Sequence, residues 1–209
     1  MPGTLATMDA PIVPTLGEER DVDQVVVLTG VSWEQYLALS KTRRKWDPRM
    51  AFLDGALELM VTSTAHEDAK IILGRMLEGY ALVSGVSLNG RGNATFKRKA
   101  QQAGVEPDEC YWIGPSRRFP QIAIEVVHTS GGINKLEAYR RLRIEEVWFW
   151  INRSLSIYHL EGRAYRLAER SHVLPRLDVH HFEKAVREAK PDEQTEAVRA
   201  YQGSLRRRR

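Results

Sequence analysis

Residues 104–113 read GVEPDECYWI. A proline has no N–H to offer a neighbouring strand, so Pro107 suits a strand entrance, where no partner needs one. Alternation beyond it puts Asp108, Cys110 and Trp112 on one face and Glu109, Tyr111 and Ile113 on the other. One face of an otherwise apolar strand therefore carries a carboxylate. Taking a carboxylate out of water is costly unless a metal, a cation or a raised pKa compensates it.

Working outward, the next β-rich run is QIAIEVV, residues 121–127, with Glu125 at its far end. Gly131-Gly132 then break the chain before a helix expected from about Asn134 to Leu142, with Lys135 at its start. Upstream, MAFLDGALELMV (50–61) is two apolar runs around Asp54-Gly55, whose preference for positive φ predicts a type I′ hairpin. Ser32 with Gln35, and Thr64 with Glu67, fit capping boxes, predicting helices over Trp33 to Lys41 and Ala65 to Val83. Short strands are expected over 86–88 and 94–97, and a strand pair, EVWFWI and LSIYHL, around Asn152-Arg153-Ser154. A charged helical segment runs from His181 to about Leu205. The pattern predicts a mixed α/β fold with one central mixed sheet flanked by helices. It divides the chain into an N-terminal arm (1–22), a domain (23–180) and a helical extension with a basic tail (181–209).

Composition bounds the rest. With 209 residues and 43% hydrophobic content, the chain can bury one sizeable core. Its formal charge of +4 equals the contribution of Arg206 to Arg209, so the body is neutral and pI alone gives no reason to infer a DNA partner. The single cysteine, Cys110, excludes an internal disulfide and a multi-cysteine zinc site. With no signal-peptide pattern and no apolar run long enough for a bilayer, a soluble cytoplasmic protein without a membrane partner is expected.

The chemistry rests on three acids in apolar strands: Glu58 in ALELM, Asp108 and Glu125. Asp108 and Glu125 fall on successive strands and can converge. Two carboxylates, with a backbone carbonyl such as that of Val126, suit a hard divalent cation, Mg²⁺ or Mn²⁺. The bland alternative places each acid at a sheet end, solvated or bridged to an arginine. Lys135 can reach back over the strand end to orient a water, or else lie on an exposed helix face. His66 and Glu67 open a helix; Glu67 already has a capping role, and a lone His there is more often a hydrogen-bonding residue than a ligand. Cys110 and Tyr139 read as packing residues, as do Trp148 and Trp150; His128, just after Glu125, is either a contact for phosphate or metal or a solvent-facing strand-end histidine.

The stretches LDGALELMVTSTAHE, GVEPDECYWI, IAIEVVHTSGGINKLEAY and EEVWFWI, in this order, resemble the bacterial Uma family of restriction endonuclease domains, in the PD-(D/E)XK nuclease superfamily. The resemblance spans roughly residues 30–168. It implies a restriction-endonuclease-like core, with Asp108 as the motif's Asp and Glu125 as its second acid. Val127 stands where the motif has lysine, and the resemblance moves that role to Lys135. Glu58, His66 and Glu67 match further family stretches where an additional site acid is expected. The implied activity is Mg²⁺- or Mn²⁺-dependent phosphodiester hydrolysis on nucleic acid, DNA foremost. Dimers are common in the superfamily, and the hairpin VWFWINRSLSIYHL suits either a homodimer interface or the core. Two other functions compete: a nuclease-fold module that binds nucleic acid or protein without cleaving it, and a metal-free hydrolase using Asp108 and Glu125 as acid and base on a glycoside.

Overall fold

Asp54 and Gly55 take φ angles of 47° and 83°, the two positive values that a type I′ turn requires. They join the first of several hairpins in the computed structural model, which describes residues 21–42, 48–128 and 132–208. The elements in chain order are β1 (Gln24–Leu28), α1 (Trp33–Thr42), β2 (Arg49–Leu53), β3 (Ala56–Val61), α2 (Thr64–Ser84), β4 (Leu88–Gly90), β5 (Phe96–Arg98) and β6 (Ala103–Val105). There follow β7 (Glu109–Ile113), β8 (Ile122–Val127), α3 (Lys135–Leu142), β9 (Glu146–Ile151), β10 (Ser154–Glu161), β11 (Ala164–Ala168), α4 (Val179–Glu188) and α5 (Gln194–Arg207). The N-terminal arm up to residue 20, Gly131 of the glycine pair and Arg209 of the tail lie outside the described residues.

The mixed sheet flanked by helices is present, with six strands in the order β11-β10-β9-β8-β7-β4 and a single parallel pairing, β8 with β9. A crossover through α3 makes that parallel pairing possible. The expectation of one central sheet needs correction, because β1, β3, β2, β6 and β5 form a second, antiparallel sheet. The two short strands around Gly90 and Gly92 do not pair with each other: β4 joins β7, and β5 joins β6.

Alternation distributes the core. On β8, Ile122, Ile124 and Val126 face the layer formed by α2, α4 and α5, where Leu73, Leu77, Phe182 and Tyr201 are buried with them. Ala123 on the opposite face packs with Cys110, Trp112, Ala138, Tyr139 and Val147, joined by Ala51 and Val105 of the second sheet. Trp33 and Tyr36 of α1 close the outer side of that sheet over Phe52 and Leu57. Tyr36 stacks on Phe52 with ring centroids 5.0 Å apart. Glu125 and Asp108 therefore project into the space between the two sheets, under α3.

The reciprocal capping box of Ser32 and Gln35 forms, Gln35 N–H donating to Ser32 Oγ at 3.1 Å and Ser32 N–H to Gln35 Oε1 at 2.7 Å. The second box does not. Thr64 is already helical, and Ser63 is the cap, accepting from His66 N–H at 3.2 Å. The C-terminal segment is two helices, because Pro191 interrupts it. Trp148 and Ile157 of the β9–β10 hairpin are buried in the chain's own core, the packing alternative for those two residues. Among the described residues no helix is long and apolar enough to cross a membrane.

Candidate active site

Asp108 immediately precedes β7, its N–H donating to Ile124 O of β8 at 3.0 Å. Continuing the β7–β8 register by one step places it opposite Glu125. Its Oδ2 accepts from the Val126 N–H at 2.6 Å, and its Oδ1 faces His66 Nε2 at 3.0 Å and ion-pairs with Arg49. A carbonyl leaves a strand on the same edge as its residue's N–H, so the Val126 C=O also faces the Asp108 side. The Val126 side chain points the other way, into the α2 layer.

Glu125 is held from α3. Its Oε2 accepts from Lys135 Nζ at 2.7 Å, and its Oε1 accepts from the Tyr139 hydroxyl. Lys135 Nζ also lies 3.5 Å from Glu58 Oε1, and Glu58 Oε2 accepts from the Ile133 N–H at 3.0 Å. The Glu125 and Glu58 carboxylates hold the Lys135 ammonium above its usual range against the opposing effect of burial. Glu58, Glu106, Asp108, Glu125, Lys135 and Arg49 line one cavity of about 10 Å³, together with Met50, Ala51 and Met60. That is roughly the space of one water or one ion.

His66 is fully buried and does not line the cavity. It joins Asp108 to Asp23, whose Oδ2 lies 2.8 Å from Nδ1, while Asp23 Oδ1 accepts from both the N–H and the hydroxyl of Ser63 at 2.8 Å. Burial pushes the imidazole below its ordinary range, outweighing the pull of Asp23. Glu67 stands off the cavity; it accepts from Arg49 Nη2 at 2.9 Å, Thr62 Oγ1 at 2.8 Å and Lys70 Nζ at 2.8 Å. His128 is exposed, its ring 5.8 Å from that of His66.

Four of the expected residues therefore gather at one cavity, while His66 and Glu67 lie behind it, in contact with Asp108 and Arg49. Sequence reasoning passed over Arg49, Glu106, Asp23 and the hydroxyl of Tyr139. Glu106 is buried beside Pro107 and accepts from Met50 N–H at 3.1 Å and Thr95 Oγ1 at 3.0 Å. Its signal was an acid next to the same proline.

The family model described as "Uma2: Putative restriction endonuclease" matches residues 33–188. The chain belongs to that family. A solved structure, described as a "putative nuclease belonging to DUF820" from Anabaena variabilis, is similar at a TM-score of 0.45 and 10% identity, over 79% of this chain and 97% of that chain. Among curated proteins none matches.

Restriction-endonuclease-like families generally use divalent metals, so the donors here can be tested against one. Four carboxylates against one ammonium and one guanidinium leave the cavity lining with a formal excess of two negative charges, the charge of one divalent cation. The anionic donors are all carboxylate oxygens, hard ligands that match Mg²⁺ or Mn²⁺ rather than a soft metal. The donor chemistry fits. As they stand, however, the carboxylates close on Lys135, Tyr139, Arg49 and backbone N–H groups, and among the described residues no three His, Cys, Asp or Glu side chains are grouped to hold a metal.

Proposed function

We propose that this protein is a metal-dependent nuclease that hydrolyses phosphodiester bonds of nucleic acid, DNA foremost. The observation that carries this reading is the return of Lys135 to Glu125: a helix lysine restores the acid–lysine contact that Val127 removes from the strand. Asp108, Glu125, Glu58 and the Val126 carbonyl would hold Mg²⁺ or Mn²⁺. When bound there, such an ion polarises the phosphate and acidifies a water.

The chain's own groups do the rest. Lys135, fixed between two carboxylates, presents its charge where negative charge grows on the phosphate oxygens. Tyr139 and the Ile133 N–H fix the carboxylates of Glu125 and Glu58, while His66 and the Val126 N–H fix that of Asp108. Arg49 must leave Asp108 for that carboxylate to take a new partner, and Glu67 is already bonded to its other nitrogen. The test combines calorimetric titration of Mg²⁺ and Mn²⁺ into wild type and Asp108→Ala with cleavage assays on single- and double-stranded DNA and RNA. Metal binding lost in Asp108→Ala is expected; a wild type that binds no metal and cleaves none of these substrates overturns the reading.

The full engagement of Asp108 and Glu125 by the chain's own donors favours one second reading, a nuclease-fold module that binds nucleic acid without cutting it. Its mark is binding that falls steeply with salt and ignores both EDTA and Asp108→Ala.

A further inference from the structure

Glu58, Met60 and Lys135 line two spaces at once. One is the carboxylate cavity of about 10 Å³; the other is an adjoining pocket of about 320 Å³. The larger space is walled by Val25, Val127, Ile133, Leu136, Phe149 and Ile151, with Asp23, His128 and Asn134 as further polar members beside Glu58 and Lys135. The small cavity admits an ion or a water but no larger part of a substrate. Whatever brings a phosphate to Lys135 must therefore lodge its neighbouring groups in the apolar pocket.

A sugar-phosphate chain alone would match that wall poorly, and a base inside a duplex keeps its faces stacked and shows only its edges in the grooves. An unpaired base offers a π-face that stacks on an aromatic side chain. Phe149 supplies such a ring at the wall, held edge-on by Tyr158 with centroids 5.8 Å apart at 85°. A space of 320 Å³ lies at the small end of the range for ligand pockets, roughly 300–1,000 Å³, which suits one nucleotide better than a base pair. His128 also lines a further cavity of about 500 Å³ that carries Arg153, Arg187 and Lys190, along with Asp68. Arg187 pairs with Glu183 at 3.1 Å and Lys190 with Glu193 at 2.9 Å; Lys190 is well exposed and Arg187 partly so, and exposed pairs of this kind hold their partners weakly.

We propose that the 320 Å³ pocket receives an unpaired nucleobase next to the phosphodiester held at Lys135, so that the preferred substrate is single-stranded or locally unpaired nucleic acid. This inference rests on the nuclease reading for its chemistry, but its test does not need turnover. Binding of the full chain to fluorescent dT12, to a dT12·dA12 duplex and to a 12-mer of abasic sites is measured in EDTA. At least tenfold tighter binding of dT12 than of the other two is expected. Phe149→Ala, and Ile151→Gln at the exposed rim as a milder variant, should each weaken dT12 binding several-fold while leaving duplex binding unchanged. Equal affinity for the three probes, no binding to any of them, or indifference of dT12 binding to both substitutions overturns the proposal. A protein that prefers dT12 yet cleaves nothing with Mg²⁺ or Mn²⁺ sinks the nuclease reading and leaves the pocket standing. One that cleaves duplex as fast as single strand does the reverse.

Discussion

Lys135 belongs to α3, yet its ammonium lies 2.7 Å from Glu125 Oε2 on β8 and 3.5 Å from Glu58 Oε1 on β3. One side chain thus ties together both sheets and the helix over them. Lys135→Met leaves two buried carboxylates facing each other with their shared cation gone. Removing one partner of a buried pair costs about 3–5 kcal/mol, and the 18% exposure of Lys135 puts the expectation at the lower end. Urea denaturation measures it, and an unchanged midpoint would contradict the buried triad. The pH dependence has a fixed sign. Because the native ammonium is held above its usual range, its contribution is complete below the unfolded value of about 10.4 and is lost as pH rises through the raised native one. Wild type should therefore lose more stability in alkali than Lys135→Met does.

Asp23 and His66 form a second buried unit, reaching from the chain ahead of β1, through the cap of α2, to Asp108. Asp23→Ala strands the Ser63 N–H and one ring nitrogen of His66, and each such orphan costs about 1–3 kcal/mol. A double-mutant cycle with His66→Ala should give a coupling energy of about 0.5–3 kcal/mol, whereas additive losses would mean the two do not act together. Calorimetry on the same variants reads the effect on the site: metal affinity should fall in both, and Asp23→Asn, which keeps an acceptor for Ser63, should lose less than Asp23→Ala.

What the sequence disclosed was what local chemistry dictates. Asp54-Gly55 demanded positive φ, Ser32 with Gln35 closed a capping box, and alternation after Pro107 put Asp108 on the face of Cys110 and Trp112. The division into two sheets was not visible, because β4 and β5 are three-residue strands whose partners are set by distant contacts. Glu146 shows why a buried acid alone does not mark a site. It opens the apolar run EVWFWI much as Asp108 opens ECYWI, and it is fully buried. Its carboxylate, however, accepts from Trp148 Nε1, Ser171 Oγ and the N–H groups of His172 and Val173, which pin the 171–173 loop to the sheet, with His159 Nδ1 3.6 Å away. Asp108 and Glu125 instead face cations beside a cavity. That difference lies in the partners, which only the fold brings in.

Gly132 is a backbone test of the same cavity. Its φ is +118°, and a Cβ there would collide with Glu58 Oε2, the oxygen that accepts from the Ile133 N–H. Gly132→Ala therefore imposes strain of about 1–3 kcal/mol and pushes the Glu58 carboxylate from its seat. Thermal melts should show the loss, and Glu58→Ala should cost less in the Gly132→Ala chain than in wild type, since the collision disappears with the carboxylate. Fully additive losses would mean that Glu58 does not crowd this turn.

Cys110 tests whether the only thiol has any chemistry. Its side chain is fully buried on the Asp108 face, and its Sγ–H donates to the Gly92 carbonyl at 3.2 Å. Burial pushes the thiol up to about 12. Against an ordinary thiol of about 8.5, that lowers the thiolate fraction at pH 8 by about three orders of magnitude, and the thiolate is the reactive form. A colorimetric thiol reagent at pH 8 should therefore label native protein no faster than it unfolds, with a rate that climbs as urea is added and becomes immediate in full denaturant. Rapid labelling of the native chain would mean that the thiol is reachable and ionised, and the case for Cys110 as a packing residue would fail. Slow labelling also makes Cys110 a clean reporter for the Lys135 and Gly132 variants, whose labelling rates should rise in step with their loss of stability.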